Sequence, residues 1–194
     1  MAERRARRCL LRLFERSRHV DPLGGSAPVT QVDAVRELVD ALDLSATIEL
    51  EALAAKLSRF RGRPIKVMPY PDAVVAEFRQ ADDSLPYGVW INSQVADYVF
   101  YRTDTTPSHQ RHIILHELGH ISCRHVGEQI GRPAVGGSEL GQADVVSAVK
   151  RAGGFAEDQE QAAESFAYLV ERQTRPNLSA TGETPAARYR VLED

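Results

Sequence analysis

Two histidines four residues apart form the pattern in this chain that most directly suggests chemistry. His116 and His120 enclose Glu117, Leu118 and Gly119. On an α-helix this spacing places both imidazoles on one face, about 5–6 Å apart at their Cβ atoms, so both can reach one ion. Neutral imidazole suits Zn²⁺, and two histidines with one further protein ligand leave a fourth position for water. The pattern therefore predicts a catalytic centre with one zinc ion.

Glu117 stands beside the first histidine and suits the role of general base. A metal ion lowers the pKa of its bound water to about 7, and a nearby carboxylate can then take up the proton. Ile114, Leu118 and Ile121 fall on the opposite face of the same predicted helix, toward a core. This context favours a metal site over two unrelated surface histidines. The residue types leave open whether the ion is zinc or another divalent metal.

A second predicted helix, residues 157–173, carries acids that could complete the site. Glu160 and Glu164 are four residues apart and share one face of it. We predict Glu160 as the third ligand and Glu164 as an acceptor that orients a histidine N–H. Glu157 and Asp158 remain competing ligands.

Two further residues could fill the fourth position of the site and close it. His112 lies one turn before the histidine pair, and Cys123 lies one turn after it. A closed zinc site is structural rather than catalytic. We expect instead that His112 supports the ligands or packs near the sheet, and that Cys123 is a small buried hydrophobe. His125 does not complete a metzincin motif, which needs Gly at Cys123 and His at Val126.

The segments around this helix predict an α+β fold. Apolar residues at helical spacing predict an N-terminal helical hairpin formed by residues 30–44 and a helix that ends near Arg61. Short runs of β-branched and aromatic residues then predict three or four strands of a small, mostly antiparallel sheet, which packs against a helical core. The predicted strands are residues 65–68, 74–78, 87–92 and 98–101, and the predicted central helix is residues 108–125.

Length and composition are those of one ordinary soluble domain with appendages. The chain has 194 residues, of which 43% are apolar and 26% charged, and this excludes a membrane-spanning or wholly disordered chain. We predict a basic leader at residues 1–29, helical or partly disordered, and a loose tail at residues 174–194. The glycine-rich segment 126–154 is predicted to be a long excursion whose role the sequence does not assign.

Charge and cysteine content restrict the compartment and the partners. Residues 1–18 contain seven Arg and two Glu, whereas the whole chain has a net charge of −3. This leader lacks the unbroken apolar stretch and cleavage site of a signal peptide, and two cysteines are too few for a disulfide framework. We therefore expect a cytoplasmic protein without a membrane partner. Direct nucleic-acid binding is not expected, and the Arg-rich leader is its only candidate region.

The motif and its surroundings resemble the ImmA/IrrE family of zinc metallopeptidases. The likeness is carried by residues 110–120, 87–92 and 160–167, and it extends over roughly residues 30–173, which it marks as a metallopeptidase domain. One departure is Ala162, which stands where the family often has a second acid. The resemblance implies a gluzincin-like centre, and its implied residues are the ligands His116, His120 and Glu160 with Glu117 as the base.

Members of this family typically cleave a helix-turn-helix transcriptional repressor. The resemblance therefore implies an endopeptidase of narrow specificity with such a repressor as its substrate. A strand such as residues 97–102 could offer its edge to an extended substrate, and Tyr98 or Tyr101 could then stabilise the oxyanion. The alternative function is a zinc-ordered regulatory binding or sensor module that does not hydrolyse its partner.

Overall fold

Helices and short strands alternate along the chain in a computed structural model that describes residues 31–126, 128–129, 140–152 and 154–174. The predicted α+β class is confirmed for these residues, whereas the predicted leader and residues 175–194 of the predicted tail lie outside them. The helices are α1 (Gln31–Leu42), α2 (Leu50–Arg61), α3 (Asp72–Gln80), α4 (Pro107–Ser122), α5 (Gln142–Arg151) and α6 (Glu157–Thr174), and the strands are β1 (Ile65–Pro69), β2 (Gly88–Asn92), β3 (Asp97–Tyr101) and β4 (Glu128–Gln129).

The four strands form a mixed sheet in the order β1-β3-β2-β4. β3 pairs in parallel with β1 and antiparallel with β2, and β2 pairs in parallel with the short β4. The prediction of a mostly antiparallel sheet is therefore wrong. Only β2 and β3 are joined by a tight turn, whereas the chain between β1 and β3 passes through α3 and β2, which allows β1 and β3 to run in parallel.

Residues 74–78 were expected to form a strand, but they belong to α3. Val74 and Phe78 are four residues apart, and both are buried on one face of the helix. Asp72 in the first turn favours the beginning of a helix electrostatically. The spacing of the buried residues therefore prevails over the strand preference of the two adjacent valines.

The sheet separates two apolar clusters of the described residues. Trp90 and Val99 face the larger cluster, which contains residues of α1, α2, α4 and α6. Ile91, Tyr98 and Phe100 face the other cluster, which contains residues of α3 and α5. α1 packs chiefly on α6, and α2 packs on β1 and α4. The first two helices thus do not pair chiefly with each other, as a hairpin would.

α4 carries the two histidines of the motif and ends earlier than predicted. It begins at Pro107 after Thr106, whose hydroxyl oxygen accepts a hydrogen bond from the His109 backbone N–H. It ends at Ser122 rather than continuing to residue 125. Arg124 then adopts a left-handed conformation with φ +57°, so the chain reverses directly after the helix.

The segment predicted as an excursion, residues 126–154, contains regular structure where it is described. It includes β4, which extends the sheet, and α5, which covers its second face with Val145 and Val149. None of the helices in the described ranges combines the length and apolar composition that crossing a membrane requires.

Candidate metal centre

Three donor atoms converge between α4 and α6. His116 Nε2 and His120 Nε2 are 3.0 Å apart, and Glu160 Oε2 lies 3.1 Å from the first and 3.7 Å from the second. Zinc bonds to nitrogen and oxygen place tetrahedral ligand atoms about 3.3 Å apart. The observed distances lie around this value, so this group could hold one metal ion. The three predicted ligands are thus brought together, and the group does not include Glu157 or Asp158.

A close approach of the two helices makes this convergence possible. A Cβ atom on Gly119 would lie 2.9 Å from both Cα and the carbonyl oxygen of Ala163, and 3.2 Å from Cβ of Phe166. Such contacts are too short for any side chain, so glycine permits the backbones of α4 and α6 to meet here. Glu160 lies one turn before Ala163 on α6 and therefore reaches the histidines.

Phe155 contacts two of the three ligands, although sequence reasoning did not identify it. Its ring stacks on the imidazole of His120 with 3.7 Å between ring centroids and 18° between planes. Its backbone N–H donates a hydrogen bond of 3.3 Å to Glu160 Oε1. This bond occupies one carboxylate oxygen and leaves Oε2 facing the histidines. An aromatic residue two positions before the acidic helix was the available signal.

The carboxylate of Glu164 lies near His116 and closer to His112, and its predicted role as an acceptor that orients a ligand histidine stays a prediction. Its Oε2 is 3.6 Å from His116 Nδ1 and 3.1 Å from His112 Nε2. The other nitrogen of His112 is 3.4 Å from Glu171 Oε1. His112 therefore pairs with two acids of α6 and is not part of the ligand group.

Cys123 does not join the metal group either. Its side chain packs against the larger apolar cluster, as expected for a small hydrophobe. Burial raises the pKa of its thiol to about 12, so the thiol remains protonated at neutral pH. A metal ligand has to be the thiolate, which this environment disfavours.

His120 is the most deeply buried of the three ligands, and its side chain is 1% exposed. Burial lowers its pKa to about 3, with further contributions from His116 and His125. The imidazole is therefore neutral across the physiological range. This is the protonation state that a metal ion requires, because a protonated ring has no free lone pair.

Glu117 is buried between α4 and β2. Its pKa is raised to about 8, first by burial and then by the negative charge of Glu160, while the backbone N–H of Trp90 opposes the shift. A Cβ atom on Gly88 would lie 2.9 Å from Glu117 Oε1 and 2.6 Å from Ile113 Cγ2. Glycine in β2 thus provides the space for a carboxyl group whose pKa suits uptake and release of a proton near neutral pH.

The sheet edge beside Glu117 belongs to β2 and not to β3. Residues 97–102 were expected to offer a docking edge, but β3 lies between β1 and β2 and both its edges are occupied. That prediction is wrong. β4 pairs only with Ile91 and Asn92, so the outer edge of β2 at Gly88 to Trp90 has no partner strand among the described residues.

The two tyrosines proposed for the oxyanion lie on different faces of the sheet. Tyr98 is buried in the cluster with α3 and α5, 6.2 Å from the ring of Phe100, so the sheet separates it from α4. Tyr98 is therefore not brought to the site. Tyr101 packs toward the cluster that contains α4 and lies opposite Gly88 in the strand pairing. Its role stays a prediction.

Comparisons of the chain with protein-family models, with curated proteins and with solved structures gave no match. The residues and geometry of the centre are therefore the basis for a functional proposal.

Proposed function

We propose that the protein is a zinc-dependent endopeptidase of narrow specificity. His116, His120 and Glu160 are the proposed ligands, and Glu117 is the proposed general base. The observation that carries the proposal is the convergence of three candidate ligand atoms at a histidine, His116, that is followed directly in the chain by the buried carboxyl group of Glu117. Structural zinc sites use four protein ligands, whereas catalytic sites use three and keep one position open. The group found among the described residues has three, and the Glu160 side chain is 43% exposed to solvent.

Glu117 handles the proton in the proposed reaction. When bound, a divalent cation lowers the pKa of water and polarises the carbonyl group of the peptide. The carboxylate of Glu117 accepts a proton from water as the water oxygen bonds to the peptide carbonyl carbon, and the resulting carboxyl group donates that proton to the amine nitrogen as the C–N bond breaks. Burial and the charge of Glu160 raise the pKa of this carboxyl group toward the neutral range, where a group can both accept and donate a proton.

The outer edge of β2 supports an extended peptide as the substrate. Backbone groups of a sheet edge pair with a peptide that adds as a further strand, while side chains on both sides set its specificity. Gly88 lies on this edge and directly beside Glu117. A peptide bound there would pass the general base with its backbone exposed to attack.

The resemblance to the ImmA/IrrE family supports a narrower substrate proposal. We propose that the natural substrate is a helix-turn-helix transcriptional repressor, and that its cleavage in the cytoplasm regulates transcription. This part of the proposal depends on the resemblance, and the centre alone supports only peptide hydrolysis.

Replacing Glu117 with Gln tests the proposed mechanism. Glu117→Gln keeps the size of the side chain but cannot accept the proton, so we expect a loss of cleavage of about 10²–10⁴-fold with zinc binding retained. The assay incubates zinc-loaded protein with a helix-turn-helix repressor encoded beside it and with a peptide library, and detects fragments by mass spectrometry. Glu157→Gln is the matched control, because Glu157 lies outside the ligand group.

Each outcome has a defined meaning. A fully active Glu117→Gln variant would reject the mechanism. Zinc-loaded protein that cleaves peptides of the library but not the repressor would reject only the narrower substrate. Protein that binds zinc and the repressor but cleaves neither substrate would support the zinc-ordered binding module instead.

A further inference from the structure

We infer that His125 is a positioning residue that orients His120 for metal binding, an inference that rests on the metal centre proposed above. His125 Nδ1 lies 2.8 Å from His120 Nδ1, within hydrogen-bond distance. The other ring nitrogen of His120, Nε2, is the one that faces His116 and Glu160. His125 thus contacts the side of the imidazole that points away from the ligand group.

The end of α4 is built so that His125 returns to His120. On a continuous helix, residue 125 would be rotated by about 140° from residue 120 around the axis. Instead, the His125 backbone N–H bonds to the His120 carbonyl at 3.0 Å, and the Arg124 N–H bonds to the Ile121 carbonyl at 3.2 Å. These two bonds form a Schellman motif, with Arg124 in the left-handed conformation. The motif reverses the chain and places the side chain of His125 against that of His120.

The chemistry of two imidazoles makes the hydrogen bond directional. A neutral imidazole carries one proton, and His120 can bind a cation through Nε2 only if that proton is on Nδ1. The Nδ1–H of His120 then donates to Nδ1 of His125, whose own proton must be on Nε2. The opposite arrangement would put a proton on His120 Nε2, where it would block the metal. Metal binding therefore selects one pair of tautomers.

Packing alone does not account for a histidine at this position. His125 is buried, and its Nε2 has no hydrogen-bond partner among the described residues. An unpaired buried polar atom costs free energy, so an apolar side chain would fill the same space more favourably. The hydrogen bond from His120 to Nδ1 is the reason that we assign to a histidine at this position.

His120 is consequently held on two sides. Phe155 covers the face of its ring, and His125 binds its Nδ1. Together these contacts restrict rotation of the imidazole and keep Nε2 directed at the ligand group. Residues that orient a metal ligand in this way contribute about 10–100-fold to metal affinity.

Two substitutions separate the hydrogen bond from the packing. His125→Leu removes the acceptor and is expected to weaken zinc binding by about 10–100-fold. His125→Asn retains an acceptor near the position of Nδ1 and is expected to restore most of the affinity. His109→Leu removes a histidine outside the ligand group and serves as the control. Zinc affinity is measured by competition with a chromophoric chelator, the cobalt spectrum reports ligand geometry, and urea unfolding of the metal-free proteins reports stability.

Long-range ¹H–¹⁵N NMR of the zinc-loaded wild-type protein provides a second test that needs no variant to fold. The expected tautomers carry the proton of His120 on Nδ1 and that of His125 on Nε2. A proton on Nδ1 of His125 would overturn the inference, and so would equal zinc affinities of wild type and His125→Leu. Equal losses in the Leu and Asn variants would do the same. Wild-type protein that binds no zinc would instead refute the metal centre itself, and the inference with it.

Discussion

The two ring nitrogens of His120 face different partners. Nε2 faces Glu160 and His116, and Nδ1 faces His125. Burial keeps the ring neutral, because charging it inside the core would require the loss of hydration. Contacts on one side of the ring thus leave Nε2 directed at the other two candidate ligands.

At the scale of a residue, Gly88 is expected to control the position of Glu117. A methyl group in Gly88→Ala would collide with Oε1 of the carboxylate and with Ile113. Displacement of the proposed general base by about 1 Å can reduce turnover about 10²-fold, whereas the proposed ligands on α4 and α6 are not touched. We expect a lower kcat with zinc affinity nearly unchanged, measured by steady-state kinetics and chelator competition.

Gly154→Ala is the matched control for this substitution, because a Cβ atom there has no neighbour within 4 Å. Equal activity of the two alanine variants would contradict the assignment of Gly88 as the residue that leaves room for the base.

Asp97 is expected to be important for stability rather than for chemistry. Its buried carboxylate accepts a hydrogen bond of 3.0 Å from Arg61 Nε and another of 3.0 Å from Trp90 Nε1. Asp97→Ala leaves the partly buried guanidinium without its counter-charge, which costs about 3–5 kcal/mol in buried pairs. Urea unfolding measures this loss. Asp104→Ala removes an exposed partner of Arg102 and should change stability little, so similar losses in both variants would refute this role.

At the scale of secondary-structure elements, the crossing of α4 and α6 decides whether the three candidate ligands meet. The two histidines are on one helix and Glu160 is on the other, and Gly119 sits where the backbones come closest. A change in the separation of the helices therefore changes the distances among all three ligand atoms.

Gly119→Ala tests this crossing, and the sign of its effect is informative. Helix propensity alone would stabilise the variant by about 1 kcal/mol. Contact with the backbone of Ala163 should reverse that sign, with a net loss of about 1–3 kcal/mol from overpacking and weaker zinc binding. Thermal unfolding and zinc titration measure both effects. A stabilised variant with wild-type zinc affinity would show that α4 and α6 can move apart without a loss of stability or of zinc binding.

At the scale of the whole molecule, a metal ion would join parts of the chain that are distant in sequence. The three candidate ligands lie on the central helix α4 and on the last described helix α6. Binding to the native state alone stabilises that state by mass action, by about 2.7 kcal/mol when the free ion is at 100 times its Kd. For a protein of this size we expect Tm to rise by about 5–10 °C.

Differential scanning calorimetry with zinc and with EDTA checks this expectation. The double variant His116→Ala/Glu160→Gln removes two ligands and should show no zinc-dependent shift of Tm. A shift of equal size in the double variant would mean that the ion binds elsewhere.

Local periodicity was sufficient to predict the helix with the two histidines and the helix with Glu160. Both depend on interactions between residues three or four apart, which any chain segment carries in its own sequence. The same holds for the burial of Ile114, Leu118 and Ile121, which was predicted correctly. The strand preference of two adjacent valines was misleading at residues 74–78, where the spacing of Val74 and Phe78 is helical.

The order of the strands, the reversal after α4 and the close approach at Gly88 and Gly119 were decided by tertiary structure. Among the described strands, part of the edge of β2 rather than that of β3 is left unpaired because β1 pairs with β3 across a long stretch of chain, and nothing within β2 or β3 encodes that choice. His125 meets His120 only because the helix stops at Ser122. Short-range patterns define what each segment can form, whereas contacts between distant segments determine which side chains meet.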